Sequence, residues 1–378
     1  MKEGYKQTEL GLVPEDWESK LLKDVIKIGN GKDYKHLNSG NVPVYGTGGI
    51  ITYVDDFLFN GKSIGIGRKG TIDNPIILDG KFWTVDTLFY IKEFYNINID
   101  FLFNVFKKIN WKKHNEGTGL PSLSQSNILN VRIPLPPIEE QKAIADCLST
   151  WDEAIEKQEQ LIKSKESRHK GLMQKLLSGK KRLPGFSEDW KEVKLGDLFS
   201  ERNETNYHDL PLLSIGQEGV YPQTDSNKRD ISNGDKSKYK RIVPGDIGYN
   251  TMRMWQGRSA LSYLEGIVSP AYTILKPKAK VDSYYFSLLF KTKKLTNLFW
   301  RNSQGLVDDT LNCKYKDFSI IKCNVPSFEE QNAISELSKI FENEIEIEKR
   351  KVNQLKEQKK ALMQKLLTGK VRLPLNNE

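Results

Sequence analysis

Three segments of the chain hold residue types at spacings that some chemistries require. Gly65-Ile66-Gly67-Arg68-Lys69-Gly70 has the glycine spacing with which a strand-to-helix turn cradles a pyrophosphate, and Gly61-Lys62-Ser63 ends as a phosphate-binding loop ends. Asp73-Asn74-Pro75-Ile76 starts like an amino-methyltransferase site. Each pattern stays incomplete. Thr71-Ile72-Asp73-Asn74-Pro75 follows the glycine run and cannot open a helix, and Asp56 stands where the phosphate loop needs its earlier glycine. The aspartate motif lacks its second proline and its aromatic, and no companion glycine motif for S-adenosylmethionine occurs. His36, His114, His169 and His208 share no ligand spacing, no G-x-S-x-G elbow is present, and the scattered acids and lysines make no nuclease core. No catalytic residue, cofactor or metal is expected.

What remains suits recognition. Tyr45-Gly46-Thr47-Gly48-Gly49, Gly67-Arg68-Lys69-Gly70 and Gly117-Thr118-Gly119-Leu120-Pro121-Ser122 are loops whose small residues allow close backbone approach, beside guanidinium, amine and hydroxyl donors. Later in the chain, Asn250-Thr251-Met252-Arg253-Met254-Trp255-Gln256-Gly257-Arg258 interleaves donors with aromatic and thioether surface, and Ser303-Gln304-Gly305-Leu306 is matched to the 117–122 loop. By type and loop position the expected nucleic-acid contacts are Lys32, Thr47, Arg68, Lys69, Thr118, Ser122, Asn250, Arg253, Gln256, Arg258 and Gln304. Each loop is equally readable as a structural turn, and Trp255 as core.

Composition agrees without deciding. The 378 residues are 38% hydrophobic and 28% charged, enough for two or three domains and unlike a disordered chain. A formal net charge of +9 suits a polyanionic partner, although charge alone does not establish one. Cys147, Cys313 and Cys323 lie far apart, which argues against disulfides and zinc. Mean hydropathy is -0.56, and neither a membrane-length apolar run nor a signal core is seen. A cytoplasmic location is expected.

The elements that would position these loops form a repeat. Glu139-Glu140-Gln141 with Ala143-Ile144 returns as Glu329-Glu330-Gln331 with Ala333-Ile334, and Leu172-Met173-Gln174-Lys175-Leu176-Leu177-Ser178-Gly179 returns as Leu362-Met363-Gln364-Lys365-Leu366-Leu367-Thr368-Gly369, both at an offset of 190. Glu15-Asp16-Trp17 and Glu188-Asp189-Trp190 match at an offset of 173, so the second insert is longer by 190 minus 173, or 17 residues. Between these markers the inserts diverge. They are read as α+β units, with strands at Pro43-Val44-Tyr45-Gly46, Ser63 to Gly67 and Pro75 to Gly80, and helices from Asp100 to Lys108 and Val281 to Thr292.

Segments 139–178 and 329–368 lack proline and read as helices stopped by Gly179 and Gly369. Ile144, Leu148, Trp151, Ile155, Ile162, Leu172 and Leu176 mark one apolar seam, and Ile334, Leu337, Phe341, Ile345, Val352, Leu355, Leu362 and Leu366 the other. Residues 139–159 carry seven acids against two bases and 163–182 eight bases against Glu166 alone, and the second helix repeats the split. A macrodipole effect fades within a turn. Antiparallel packing sets acid along base, so an antiparallel coiled coil within one chain is expected. Gln158, Lys165, His169, Glu348 and Lys359 on the seams either set register or sit in solvent.

With these features the chain resembles the DNA-specificity subunit of type I restriction-modification enzymes over nearly its full length. The carriers are Pro14-Glu15-Asp16-Trp17 and Ser187-Glu188-Asp189-Trp190, the two Leu-Met-Gln-Lys-Leu-Leu-(Ser/Thr)-Gly-Lys ends, and the junctions Pro134-Leu135-Pro136-Pro137-Ile138-Glu139-Glu140-Gln141 and Val325-Pro326-Ser327-Phe328-Glu329-Glu330-Gln331. The second junction departs in having Ser327 for the second proline. The resemblance implies two globular α/β target recognition domains, separated by two long helices in an antiparallel coiled coil with a pseudo-twofold repeat. The expected boundaries are 1–136 and 185–326 for the recognition domains, and 137–184 and 327–378 for the spacer helices, the last with the tail. It further implies a bipartite, asymmetric target in double-stranded DNA, and assembly with two methyltransferase subunits and two ATP-dependent restriction subunits. A non-catalytic coiled-coil scaffold without sequence-specific DNA binding is the alternative. The segment from Tyr5 to Leu12 is expected beside the C-terminal tail.

Overall fold

The computed structural model describes residues 3–216, 219–225, 235–307 and 310–374. They form two compact units, Met1–Gln160 with Lys349–Glu378, and Leu161–Glu348. The cut passes through both long helices, Ile138–Leu177 and Phe328–Leu366, so each unit contains the start of one and the end of the other. Both helices close on a left-handed glycine, Gly179 at φ 70° and Gly369 at φ 66°. There Lys181 N reaches back to Lys175 O at 3.2 Å and Lys370 N to Lys365 O at 3.0 Å. Ser327, the departure from the double proline, caps the second helix by accepting from Glu330 N at 3.4 Å.

In each unit the helix segments run antiparallel and acid faces base. In the first unit Lys356 pairs with Glu159 at 2.6 Å and Lys359 with Asp152 at 2.5 Å. In the second, Lys165 lies between Glu344 and Glu348 at 3.5 and 3.2 Å. His169 stacks on Phe341 with ring centroids 5.4 Å apart and meets Ser338 Oγ at 3.0 Å. Of the two readings of the polar seam residues, Lys165, His169 and Lys359 follow the first, since their partners lie on the facing helix. Ile144, Leu148, Ile155, Ile162, Leu176, Ile334, Ile345, Val352 and Leu366 are buried, while Trp151, Leu172, Phe341, Leu355 and Leu362 are half-buried.

The divergent inserts each contain a four-stranded sheet of the same strand order. In the first unit the strand order is Ile26–Asn30, Leu88–Phe94, Ser63–Gly67, Ile76–Leu78, all antiparallel. In the second, Phe199–Glu201, Tyr272–Pro277, Ile247–Asn250 and Ser259–Leu261 follow the same order. The strand leading into each long helix pairs with the strand after each E-D-W motif: Arg132–Leu135 with Glu18–Leu21, and Lys322–Val325 with Lys191–Lys194. The first unit adds a mixed sheet in which Lys81–Thr84 lies parallel to Ser39–Gly46. Strands form at the expected places, and the first expected helix is Ile99–Lys108, capped by Asn98. The second is shorter than the sequence suggests. It ends at Leu289, because Thr292 Oγ1 accepts from Leu295 N at 3.4 Å and starts another helix, Lys293–Asn302.

The repeated motifs meet at one point in each unit. In the first, Trp17 Nε1 donates to Glu140 at 2.9 Å, and Arg372 grips the same carboxylate with Nε at 2.9 Å and Nη2 at 2.6 Å. In the second, Glu330 accepts from Trp190 Nε1 at 3.3 Å and from Arg182 Nε and Nη2 at 2.6 Å each. The acid opens one long helix and the arginine follows the end of the other. Tyr5 Oη donates to Gly369 O at 2.8 Å, so the N-terminal strand lies against the end of the second helix. Arg372 also binds Asp16 and, chiefly through that hydrogen bond, holds its carboxyl below the usual range. That contribution is present above the ordinary aspartate pKa and disappears as pH falls through the lowered one.

The adjoining glutamines hold the inserts. Gln141 donates to Pro136 O at 2.8 Å and accepts from Asn98 N at 2.8 Å. Gln331 donates to Pro326 O and accepts from Asp282 N, both at 3.1 Å.

Cys313 and Cys323 are buried, and burial pushes both thiols up to about 12; burial also raises Cys147. With a pKa near 12, only about one thiol in ten thousand ionises at pH 8. A disulfide reagent at pH 8 should therefore leave Cys313 and Cys323 unmodified until denaturant is added, when all three react; rapid modification of either in the native chain would refute the packing.

Candidate nucleic-acid interface

In the first unit the central strand Ser63–Gly67 runs into the turn Arg68-Lys69-Gly70, which is tied to the segment before the short helix Gln125–Leu129. Leu123 N donates to Arg68 O and Gly70 N to Pro121 O, both at 2.9 Å. Gly70 has φ 89°, and a Cβ on Gly67 would lie 2.1 Å from Thr71 O, so these glycines serve a tight turn rather than a dinucleotide. Asn115 Oδ1 closes the 117–122 loop by accepting from Gly117 N at 2.9 Å and Ser122 N at 2.8 Å. The loop's Thr118 is exposed, as is Leu120.

These segments border a groove of about 570 Å³ lined by Asn30, Arg68, Lys69, Phe89, Glu116, Ser122, Leu123, Ser124 and Gln125. Arg68 lies over the Phe89 ring, 5.8 Å from its centroid. Thr47 sits beside Gly70, its hydroxyl 3.7 Å from where a Cβ would be. Arg68, Lys69 and Ser122 are thus brought together, with Thr47 and Thr118 on adjoining turns. Lys32 is exposed outside the lining, its backbone held by Thr84 O and by Trp83 Nε1.

The second unit repeats the plan with other residues. Cys313 N donates to Thr251 O at 2.8 Å, as Leu123 N does to Arg68 O. Asn250 ends the central strand and spends its carboxamide oxygen on Met252 N at 2.9 Å. Arg253 leads into a single 3-10 turn, Met254–Gln256, closed by Gly257 at φ 74°. Gln256 and Arg258 are exposed, Arg253 and Trp255 half-buried, and Met254 is the buried core residue of the turn. Beside it Trp255, Lys293, Thr296, Asn297, Trp300 and Arg301 line a second depression of about 470 Å³. Gln304 pairs through its backbone with Asn312 and points its amide at Asp317, 3.5 Å away. Gln304 N donates to Asn312 O at 3.0 Å as Glu116 N does to Ser122 O at 2.9 Å, so Ser303-Gln304-Gly305-Leu306 opens the loop that stands where 117–122 does, as matched from the sequence. Residues 308–309 lie outside the described residues.

Sequence reading passed over Asn30, Phe89, Glu116 and Gln125 in the first groove and Lys293, Trp300 and Arg301 in the second. Asn30 and Phe89 come from neighbouring strands, whose pairing no local pattern announces. The second group sits on the helix whose start was legible only in Thr292.

The first unit thus presents a polar, partly basic groove at the end of its central strand, and the second a partly basic, tryptophan-lined depression between its 3-10 turn and the helix Lys293–Asn302. The construction is a duplicated one, and among the described residues no group of three or more His, Cys, Asp and Glu could hold a metal. The chain belongs to the type I restriction modification DNA specificity domain family, whose model matches residues 14–164 and 187–357. It is 27% identical over 430 residues to the type I restriction enzyme MjaVIII specificity subunit of Methanocaldococcus jannaschii, covering 98% of this chain and 97% of that protein. The crystal structure of the type I restriction-modification S subunit from M. genitalium shares the fold, with a TM-score of 0.57 over 93% of this chain and 96% of that one at 16% identity. A chain from a structure on complex assembly and conformational transition of the type I R-M system matches with a TM-score of 0.61, over 95% of this chain and 99% of that one at 15% identity. No helix among the described residues is long and apolar enough to cross a membrane.

Proposed function

We propose that the chain is the non-catalytic specificity subunit of a type I restriction-modification complex, each unit reading one half of a split sequence in double-stranded DNA. The observation that carries this reading is the duplication: one family model matches both halves, and the same sheet and the same strand-to-loop tie carry different side chains in each, Arg68 to Leu123 in one half and Thr251 to Cys313 in the other. A repeated frame with unlike contents is what a bipartite, asymmetric target requires. The chain assembles with two methyltransferase subunits and two ATP-dependent restriction subunits, which supply the chemistry, and it works in the cytoplasm. The contacts expected from the sequence, from Lys32 to Gln304, are its DNA-facing set, with Arg68, Lys69 and Ser122 central in the first unit.

Single-molecule mapping of N6-methyladenine, in DNA from cells expressing the chain with its modification subunit, tests this. A split motif absent from the empty-vector control is expected. No motif despite a purified complex would favour a scaffold without DNA reading.

A further inference from the structure

The first groove holds a carboxamide pair with an open recognition edge. Asn30 ends the edge strand Ile26–Asn30, Gln125 opens the helix Gln125–Leu129, and Gln125 Nε2 donates to Asn30 Oδ1 at 2.8 Å. One hydrogen bond between two carboxamides leaves one carbonyl and one amide facing away from it, whichever way the two groups are turned. Capping of the helix does not need Gln125, because Ser124 Oγ already accepts from Asn127 N at 3.1 Å. Asn30 is exposed and Gln125 half-buried, so the pair is reachable yet held between two elements.

The surroundings narrow the ligand. Arg68 and Lys69 line the same groove beside Glu116, whose carboxylate accepts from Ser124 Oγ at 3.0 Å; those cations suit phosphate, whereas the carboxamide pair is uncharged and offers one acceptor and one donor. That suits a base edge. An acceptor and a donor side by side complement the N6 amino group and N7 of adenine in the major groove, whereas guanine presents acceptors at both places.

We propose that Asn30 and Gln125 together read an adenine in the half-site bound by the first unit, the free carbonyl accepting from N6–H and the free amide donating to N7. This rests on the DNA-reading function proposed above. It assigns specificity to two residues 95 positions apart in the chain, joined only by the fold.

The test uses the full chain in complex with its modification subunit and a panel of duplexes carrying each base at every position of the mapped target. Gln125→Ala should lower discrimination at one A·T position of the first half-site roughly 10- to 100-fold, with every other position unchanged within about threefold. Asn30→Asp keeps the acceptor for Gln125 Nε2 but turns the free donor into an acceptor, so preference at that position should move from adenine towards cytosine, which offers its N4 amino group. Thermal melting checks that each variant is folded, and because the two residues lie on different elements either variant alone is decisive. Unchanged discrimination at every position, losses spread over both half-sites, or a wild-type first half-site without an A·T pair would overturn the assignment. A wild-type complex that prefers no duplex would overturn the DNA-reading function itself, before any variant is made.

Discussion

Replacing Arg182 with alanine should destabilise the second unit by about 3–5 kcal/mol, the cost of leaving a buried carboxylate without its cation. Glu330 is only 1% exposed and Arg182 25%, and the guanidinium closes on both carboxylate oxygens at 2.6 Å. For a unit of 188 residues, Leu161 to Glu348, that predicts a melting transition lower by roughly 10 °C. Arg182→Lys should fall between, since a point charge cannot reproduce the two-pronged bond. Adding Glu330→Gln to Arg182→Ala should recover more than half of the loss, because the amide carries no charge and its oxygen still accepts from Trp190 Nε1. Differential scanning calorimetry of the four chains decides it; a double variant no more stable than Arg182→Ala would place the cost in packing. Arg372→Ala should cost less, about 3 kcal/mol, because Arg372 is 38% exposed and already shares itself with Asp16.

The same cluster shows what was legible in the sequence and why. The E-D-W and E-E-Q motifs and the Leu-Met-Gln-Lys-Leu-Leu-(Ser/Thr)-Gly-Lys ends stood out as repeats, and the charge blocks of the long helices implied their antiparallel pairing. No sequence pattern says that Arg372 meets Glu140, 232 residues away, rather than Glu330. That pairing follows from the helices being antiparallel, which carries the end of one to the start of the other. The inserts were harder. Their strands are two to eight residues long and many are buried on both faces, as Ser63–Gly67 is throughout, so alternation is lost and the common strand order stays hidden. Loop chemistry singled out Arg68, Lys69 and Ser122, which the fold brings to one groove. It passed over Asn30 and Gln125, ordinary polar residues that only the fold makes adjacent.

Exchanging residues 12–136 for the corresponding insert of a relative with a different target should change one half of the methylated sequence and leave the other half intact. The physical reason lies in how the frame holds the insert. Gln141 grips it through Asn98 N and Pro136 O, and Gln331 grips its own insert through Asp282 N and Pro326 O. These are main-chain groups, which any sequence of the same fold supplies, so the frame places no demand on the side chains that line the proposed grooves. What the foreign insert must retain is Trp17, buried completely and bonded to Glu140, and Asp16 for Arg372. A chimera that keeps both should melt within a few degrees of the parent. It should bind the parental target about a thousandfold or more weakly, because several mismatched bases at about 1–3 kcal/mol each add up. Methylation mapping of cells carrying the chimera reads both halves at once. A change in both halves would mean that the inserts do not read independently. An unchanged target would mean that the first insert is not the reader of its half-site, and the proposed grooves would lose their role together.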